Sequence, residues 1–243
     1  MAVDSTNPSG LQESSLDQLK EWDADWAAKY RKVIDNPWSN GVLPVKFIEL
    51  VCIALTSACT NLQPEGMRRH VRAALAAGAS CEEILVVLKC SSLLAIHSCS
   101  LGAPILLEEA KAAGVKPARH GQGEPTPFCD KMREIGQWNT AWDPFFDLDP
   151  VWTDQFFATA VGIYQGGVMS AKDLELLSIA FDASITHMYA PGTRRHIKGA
   201  LNAGAAMEEI MEVLKLCTAA GAEALHLAVP ILAEELESFK ART

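Results

Sequence analysis

The chain has 243 residues, of which 49% are apolar and 21% charged, and it carries a formal net charge of −9. That length suits one large or two small domains, and the apolar content excludes an intrinsically disordered chain. The acidic balance, with no basic stripe to offset it, argues against nucleic acid as a partner.

The first ten residues are polar and acidic, with neither the basic region nor the apolar stretch of a signal peptide. Farther on, apolar runs are broken by charge or glycine short of the roughly 18 residues that a membrane helix needs. The expectation is a cytoplasmic chain with no membrane partner. Glycine and proline punctuate helical patterns and no sustained period-2 segment occurs, which predicts an all-α fold. The first helix spans about 16–34 and ends at Asn36-Pro37. A strongly apolar helix follows over about 45–60. Pro64 suits the first turn of the next helix, which Gly78 closes. Ser80-x-x-Glu83 is a capping box that starts a helix running to about Ser100, and another covers 104–113. Residues 114–127 are rich in Gly, Pro and charge and read as a linker. Helices are then expected near 126–138, 150–164, 171–186, 191–203, 207–220 and 226–239. The domain reading is one unit over 14–113 and a second over 128–239.

Those two units share a pattern. Residues 46–109 align without a gap on 172–235, so Glu49 falls on Glu175, 126 positions later. Arg68-Arg69-His70 falls on Arg194-Arg195-His196, and Glu82-Glu83-Ile84 on Glu208-Glu209-Ile210. Shared apolar residues could be helical bias, but a shared Glu, Arg-Arg-His and Gly in one register point to a tandem duplication. Seven cysteines, an odd number with no C-x-x-C pair, fall mostly on apolar helical faces and read as reduced core thiols.

Three positions carry chemistry. Glu49 and Glu175 each stand alone in an otherwise apolar helix, where a carboxylate must be paired, hydrogen-bonded or neutral. Each is either a general acid/base or half of a structural ion pair, the partner then being an Arg of the following helix. On that helix, a stripe drawn through Met67, Val71, Ala74, Leu75 and Gly78 puts Arg68 and His70 at its margins and Arg69 in solvent. Arg194, His196 and Arg195 are placed likewise. Margin positions suit a pocket wall, and a margin Arg can hold a carboxylate bidentately; a margin His can equally be a packing imidazole. At the junction, the second half alone offers Asp182, Thr186, His187 and Tyr189, and Asn61 and Gln63 replace the last two in the first half. His97, Glu223 and His226 are weaker candidates. No HExxH or other compact ligand spacing supports a metal.

The run of a Gly turn, Lys, Glu-Leu, an apolar helix, then Arg-x-His-Ile/Val-x-x-Ala-Leu-x-x-Gly-Ala-x-x-Glu-Glu-Ile-x-x-Val-Leu resembles the carboxymuconolactone decarboxylase family, which includes the alkylhydroperoxidase D-like proteins. The resemblance covers roughly 43–111 and 148–237. It implies an all-α fold whose units pair, with six units in a ring, hence a trimer of two-unit chains and sites near the seam. The peroxidase branch of that family carries a C-x-x-C pair where this chain has Asn61 and Pro64, or His187 and Ala190. Without those thiols a thiol peroxidase is not expected. The decarboxylase branch keeps the later His, matched by His70 and His196, while its Arg before the shared Glu is Ile48 and Leu174 here.

The resulting expectation is a cofactor-free decarboxylase acting on a small carboxylated lactone or unsaturated acid. Glu175, His187 and His196 are its candidate catalytic residues. Arg194, Tyr189, Glu49, Arg68 and His70 are candidates for binding the substrate, around a ligand-sized void. The alternatives are a lactone isomerase or hydrolase in the same pocket, or a non-catalytic helical scaffold that binds a small acid.

Overall fold

A computed structural model describes residues 13–242; the acidic leader, read above for a signal peptide, lies outside the described residues. The first half contains α1 (Glu13–Trp22), α2 (Ala24–Ile34), α3 (Asn36–Ser39), α4 (Val45–Ser57), α5 (Pro64–Ala76) and α6 (Cys81–Leu93). A 3-10 turn at Leu94–Ile96 leads into α7 (His97–Ala112). Next come α8 (Pro127–Glu134), a 3-10 turn at Thr140–Trp142, α9 (Asp143–Leu148) and α10 (Pro150–Gln165). The chain ends with α11 (Ala171–Ala183), α12 (Ala190–Asn202), α13 (Met207–Ala219) and α14 (Ala222–Lys240). No strand occurs among the described residues, so the fold is all-α.

Helix bounds repeat with the sequence register. Helix α11 starts at 171 against 45 for α4, α12 at 190 against 64 for α5, and α13 at 207 against 81 for α6, each 126 residues later and each of 13 residues. The capping chemistry differs between the copies. Ser80 and Glu83 exchange both hydrogen bonds, at 2.8 and 3.1 Å. Ala206 has no side-chain acceptor, so only the bond from its N–H to Glu209, at 2.8 Å, remains.

Two expectations fail locally. The helix expected over 16–34 is two helices, because Asp23 leaves helical geometry and its carboxylate accepts from the Trp26 N–H, starting a new helix. The break expected before Pro104 falls instead at 94–96, and α7 runs through Pro104 at the cost of one backbone hydrogen bond.

The chain divides into two compact units, Met1–Ser91 with Met169–Thr243, and Ser92–Val168. Compactness thus follows a different boundary from sequence repetition. In the first unit α4 packs on α5, α11 and α13, and α11 on α12 and α13. Both central helices are buried almost all round: Ile48, Val51, Ile53, Leu176, Leu177 and Ile179 have no more than 1% of their surface exposed. Each such side chain contributes about 2 kcal/mol of burial. In the second unit Trp142, Phe145 and Phe157 form an aromatic core, the Trp142 and Phe157 ring centres lying 4.5 Å apart. Its buried Asp154 accepts from the N–H groups of Phe128 and Cys129, both at 2.8 Å, at the start of α8.

Two helical runs, Cys81–Ala112 and Met207–Lys240, are long and apolar enough to cross a membrane by length and composition, although the interrupted apolar runs predicted none. The apolar stretch of each run carries few charges, which interrupt it without making it polar. In this fold both runs are divided, at 94–96 and at 220–221, and the second turns Glu212, Glu223 and His226 into polar contacts inside its unit.

Candidate active site

Helix α4 leaves its one carboxylate, Glu49, nowhere to meet water: the residue is wholly buried. Both its oxygens are therefore hydrogen-bonded. Trp38, carried by α3, donates from Nε1 to Glu49 Oε1 at 2.7 Å. His70 of α5 lies with Nδ1 2.8 Å from Oε2. A carboxylate cannot donate, so His70 Nδ1 carries the proton. Helix α11 repeats this arrangement: His196 Nδ1 donates to Glu175 Oε2 at 2.7 Å. Gly199 makes room for that second pair, since a Cβ there would stand 2.6 Å from the Glu175 carboxyl.

The two halves part company at the far nitrogen of the imidazole. In the second half Arg195 Nη1 is 3.2 Å from His196 Nε2. A guanidinium can only donate, so Nε2 accepts and the ring is neutral. Burial pushes the His196 pKa down; the Glu175 hydrogen bond opposes this and the Arg195 charge adds to it. Asp182 Oδ2 lies 3.7 Å from the same Nε2. Burial raises the Asp182 carboxyl to about 7 against the pull of Arg195. Gly192 lets Asp182 in, because a Cβ there would overlap its Oδ2.

In the first half the counterpart Arg69 turns elsewhere. Its Nη2 donates to Glu223 Oε1 in an ion pair and to His226 Nδ1 at 2.9 Å. Both partners come from α14. Gly66 opens the space, a Cβ there reaching within 3.0 Å of Glu223 Oε2. Burial raises the Glu223 pKa, but the positive charge of Arg69 beside it outweighs this and holds the carboxyl below its ordinary value. Because His226 Nδ1 accepts from Arg69, its proton sits on Nε2. That Nε2 and Arg69 Nε are buried without a hydrogen-bond partner. Among the described residues His70 makes its hydrogen bond through Nδ1, which leaves Nε2 open. Trp38, Thr56, Arg69, His70, Glu223 and His226 line one small cavity of about 30 Å³. That is room for about two water molecules, not for the ligand-sized void expected from the sequence.

The arginines expected at the pocket wall, Arg68 and Arg194, turn outward. Arg68 is 60% exposed, beside Glu65, whereas the Arg69 side chain is only 16% exposed. Arg194 is also exposed and lines an open groove of about 580 Å³ with Met188, Thr193 and Ile197. The inward guanidiniums are thus Arg69 and Arg195, the reverse of the sequence reading. The buried positions of α5 and α12 are Gly66, His70 and Ala74, and Gly192, His196 and Ala200. Small residues let these helices approach α4 and α11 closely, so a stripe drawn through the larger apolar residues marks the wrong face. His187 and Tyr189 stack loosely, ring centres 5.7 Å apart, on a turn closed by Tyr189 N–H to the Asp182 carbonyl at 2.7 Å. Met188 between them is held at φ 51°, a strained left-handed conformation for a non-glycine residue. Burial lowers the His187 pKa. A ring nitrogen of His187 and a carboxylate oxygen of Asp182 lie within 4.8 Å, so these two offer metal-ligand types at close quarters.

Sequence reasoning misses Trp38 altogether. Its only signal is a Trp beside a helix-breaking Asn-Pro, which says nothing about reaching Glu49.

Comparison with known proteins gives the same assignment from another direction. The family model of the carboxymuconolactone decarboxylase family matches residues 150–234. A crystal structure from Burkholderia xenovorans, provisionally named as a gamma-carboxymuconolactone decarboxylase subunit, superposes with a TM-score of 0.87. It is 30% identical, over 96% of this chain and 94% of that one. This chain belongs to the carboxymuconolactone decarboxylase family. No significant match is found among curated proteins. In this family member the matched stretch carries the Glu175–His196 pair, while the Glu49–His70 pair lies before it and is spanned only by the structural relative.

Proposed function

We propose that the chain is a cofactor-free carboxy-lyase acting on a small carboxylated lactone. The observation that carries this is the carboxylate–imidazole pair, Glu49–His70 and Glu175–His196, built twice at one register, with a guanidinium on the imidazole in the second half and one lining the same cavity in the first. In the reaction the bond between the ring carbon and the carboxylate breaks. Its electron pair passes into the lactone carbonyl as a dienolate, and CO2 departs. One proton, taken from solvent onto the imidazole, is returned to carbon, so each turnover consumes one proton. The buried glutamate stabilises the transient imidazolium through the Nδ1 hydrogen bond. The guanidinium supplies positive charge beside the dienolate.

The cavity of about 30 Å³ holds water, whereas ligand pockets usually start at about 300 Å³. Substrate entry therefore requires lining side chains to move aside, with Arg69, Glu223 and His226 forming the polar wall that would open. The small size of the cavity also favours a second reading, a helical scaffold in which the pairs only tie helices together. CO2 release from γ-carboxymuconolactone by the purified full chain separates the two. Measurable turnover, lost in the Glu49→Gln and Glu175→Gln double variant, is the expected result; no CO2 release from a folded wild type favours the scaffold. The exposed apolar residues of α5 and α12, Leu75 and Leu201 among them, support assembly as a trimer of two-unit chains. Light scattering on the eluted protein tests that stoichiometry.

A further inference from the structure

We infer that the two imidazole pairs are not equivalent: His70, in the first half, is the proton carrier, and Glu223 and His226 of α14 are positioning residues that hold Arg69 away from it. This rests on the lyase reading and names the working half of the site.

A proton carrier needs a nitrogen that can pick up a proton and present it to carbon. In both histidines Nδ1 is committed to the glutamate, so only Nε2 can serve. At His196 the Arg195 N–H already occupies that lone pair, 3.2 Å away. Protonating Nε2 there would set an N–H against a guanidinium N–H, and both would be positive. At His70 the same lone pair is open. The difference does not lie in the arginines, which fall at equivalent positions, but in what α14 offers. Glu223 and His226 both accept from Arg69 Nη2. Their equivalents 126 residues earlier are His97 and Ser100, neither of them a carboxylate. Thr56 in the first half stands where the second half has Asp182, so the cavity wall of the first half has a hydroxyl in place of a carboxyl.

The orphaned donors fit this assignment. Arg69 Nε and His226 Nε2 are buried with no protein partner, and both residues line the cavity that His70 lines. A water held there would accept from these donors and donate to the His70 lone pair, and a proton relayed along it from bulk solvent recharges His70, the water regaining the proton it passes on. The two halves are therefore coupled through sequence: the first half's site is complete only with the last helix of the second.

Nitrogen-15 correlation spectra of the uniformly labelled full chain at neutral pH test this without reference to turnover, the histidines being assigned with single His→Gln variants. The expected result is an Nδ1–H tautomer at His70 and His196 and an Nε2–H tautomer at His226. His70 Nε2 resonates as a free acceptor nitrogen, and His196 Nε2 is displaced as a hydrogen-bonded one. In Glu223→Ala, Arg69 is released and His70 Nε2 moves toward the His196 position. Equal Nε2 signals in the wild type, or no movement in Glu223→Ala, overturns the inference. In the CO2 assay His70→Gln is expected to lose at least about tenfold more in kcat than His196→Gln. Glu223→Ala is expected to lower kcat about tenfold with KM within about twofold. A larger loss in His196→Gln overturns the assignment. A wild type that releases no CO2 removes the lyase reading, and the tautomer spectra alone then decide the arrangement.

Discussion

Arg195 donates to His196, the residue next to it in sequence, across 3.2 Å, while Arg69 at the equivalent position reaches 157 residues along the chain to His226. One repeated dipeptide thus makes a local contact in one half and a long-range contact in the other. A repeat keeps the backbone register, but the surroundings of each copy decide where a flexible guanidinium points.

Replacing Glu49 tests how far the first pair is structural. A glutamine in its place would offer one acceptor oxygen to two donors, Trp38 Nε1 and His70 Nδ1, and would set its own amide N–H against one of them. Leaving a buried donor unmet costs about 1–3 kcal/mol, more where a charge is involved. Glu49→Gln is therefore expected to lower the urea midpoint by the equivalent of about 2–4 kcal/mol with an unchanged slope. A loss below about 0.5 kcal/mol shows that the pair does not hold the helices.

Asp182 sets a pH dependence whose sign is fixed. Its carboxyl is raised to about 7 in the fold from 3.8. The folded state therefore binds the proton more tightly than the unfolded chain does. This stabilisation is full below about pH 4 and is lost as pH rises to about 7. Asp182→Asn keeps the neutral form and removes the dependence. Denaturation at pH 5, 6 and 8 is expected to show the variant gaining on the wild type as pH rises, by on the order of a few kcal/mol at pH 8. A constant difference across that range removes the buried carboxyl as its source.

Thiol reactivity follows burial. Cys52 is buried, with its pKa driven well up by burial and by the nearby Glu49 charge. Burial raises Cys90, Cys129 and Cys217 to about 12. Cys59 and Cys81 are exposed. Iodoacetamide at pH 8 is expected to label Cys59 and Cys81 within minutes and the buried thiols only in denaturant, as peptide mass spectrometry reads. Rapid labelling of Cys52 or Cys217 in native protein shows that the α4–α13 core opens.

The all-α class, the helix register and both acid-bearing helices are legible in the sequence because each rests on many residues: periodicity, caps, and a lone Glu in an apolar run. The partner of that Glu is half legible. His70 and His196 stand out by their repeat, but the ion-pair partner expected for the Glu is an Arg. Arg68 and Arg194 are the natural choices only if large apolar side chains mark the buried face. Leu75 and Leu201, on that supposed face, are 52% and 46% exposed. The face that packs holds Gly66, Ala74, Gly192 and Ala200, whose smallness carries little hydrophobic signal but permits close helix approach. Trp38 is not legible at all, and Glu223 and His226 are legible only as weak candidates, since all three meet the site through tertiary packing that no local pattern encodes.

Those small residues give the last expectation. In an exposed helix Gly→Ala stabilises by about 1 kcal/mol through helix propensity. At Gly199 the added methyl would meet the Glu175 carboxyl at 2.6 Å, and at Gly192 it would overlap Asp182 Oδ2. Overpacking typically costs about 1–3 kcal/mol, so propensity loses. Position 73, the counterpart of Gly199, is already Ala, which shows that the first half seats Glu49 with a methyl at that place. Gly199→Ala is therefore expected to be the milder change, since the glutamate can adopt the first-half arrangement, and Gly192→Ala the harsher, by about 1–2 kcal/mol in paired urea titrations. Gly162 has nothing within 4 Å of a built Cβ, and Gly162→Ala in α10 serves as the propensity control, expected to raise stability. Should all three variants shift alike, backbone propensity governs, and the carboxyl contacts at Gly192 and Gly199 do not constrain the site.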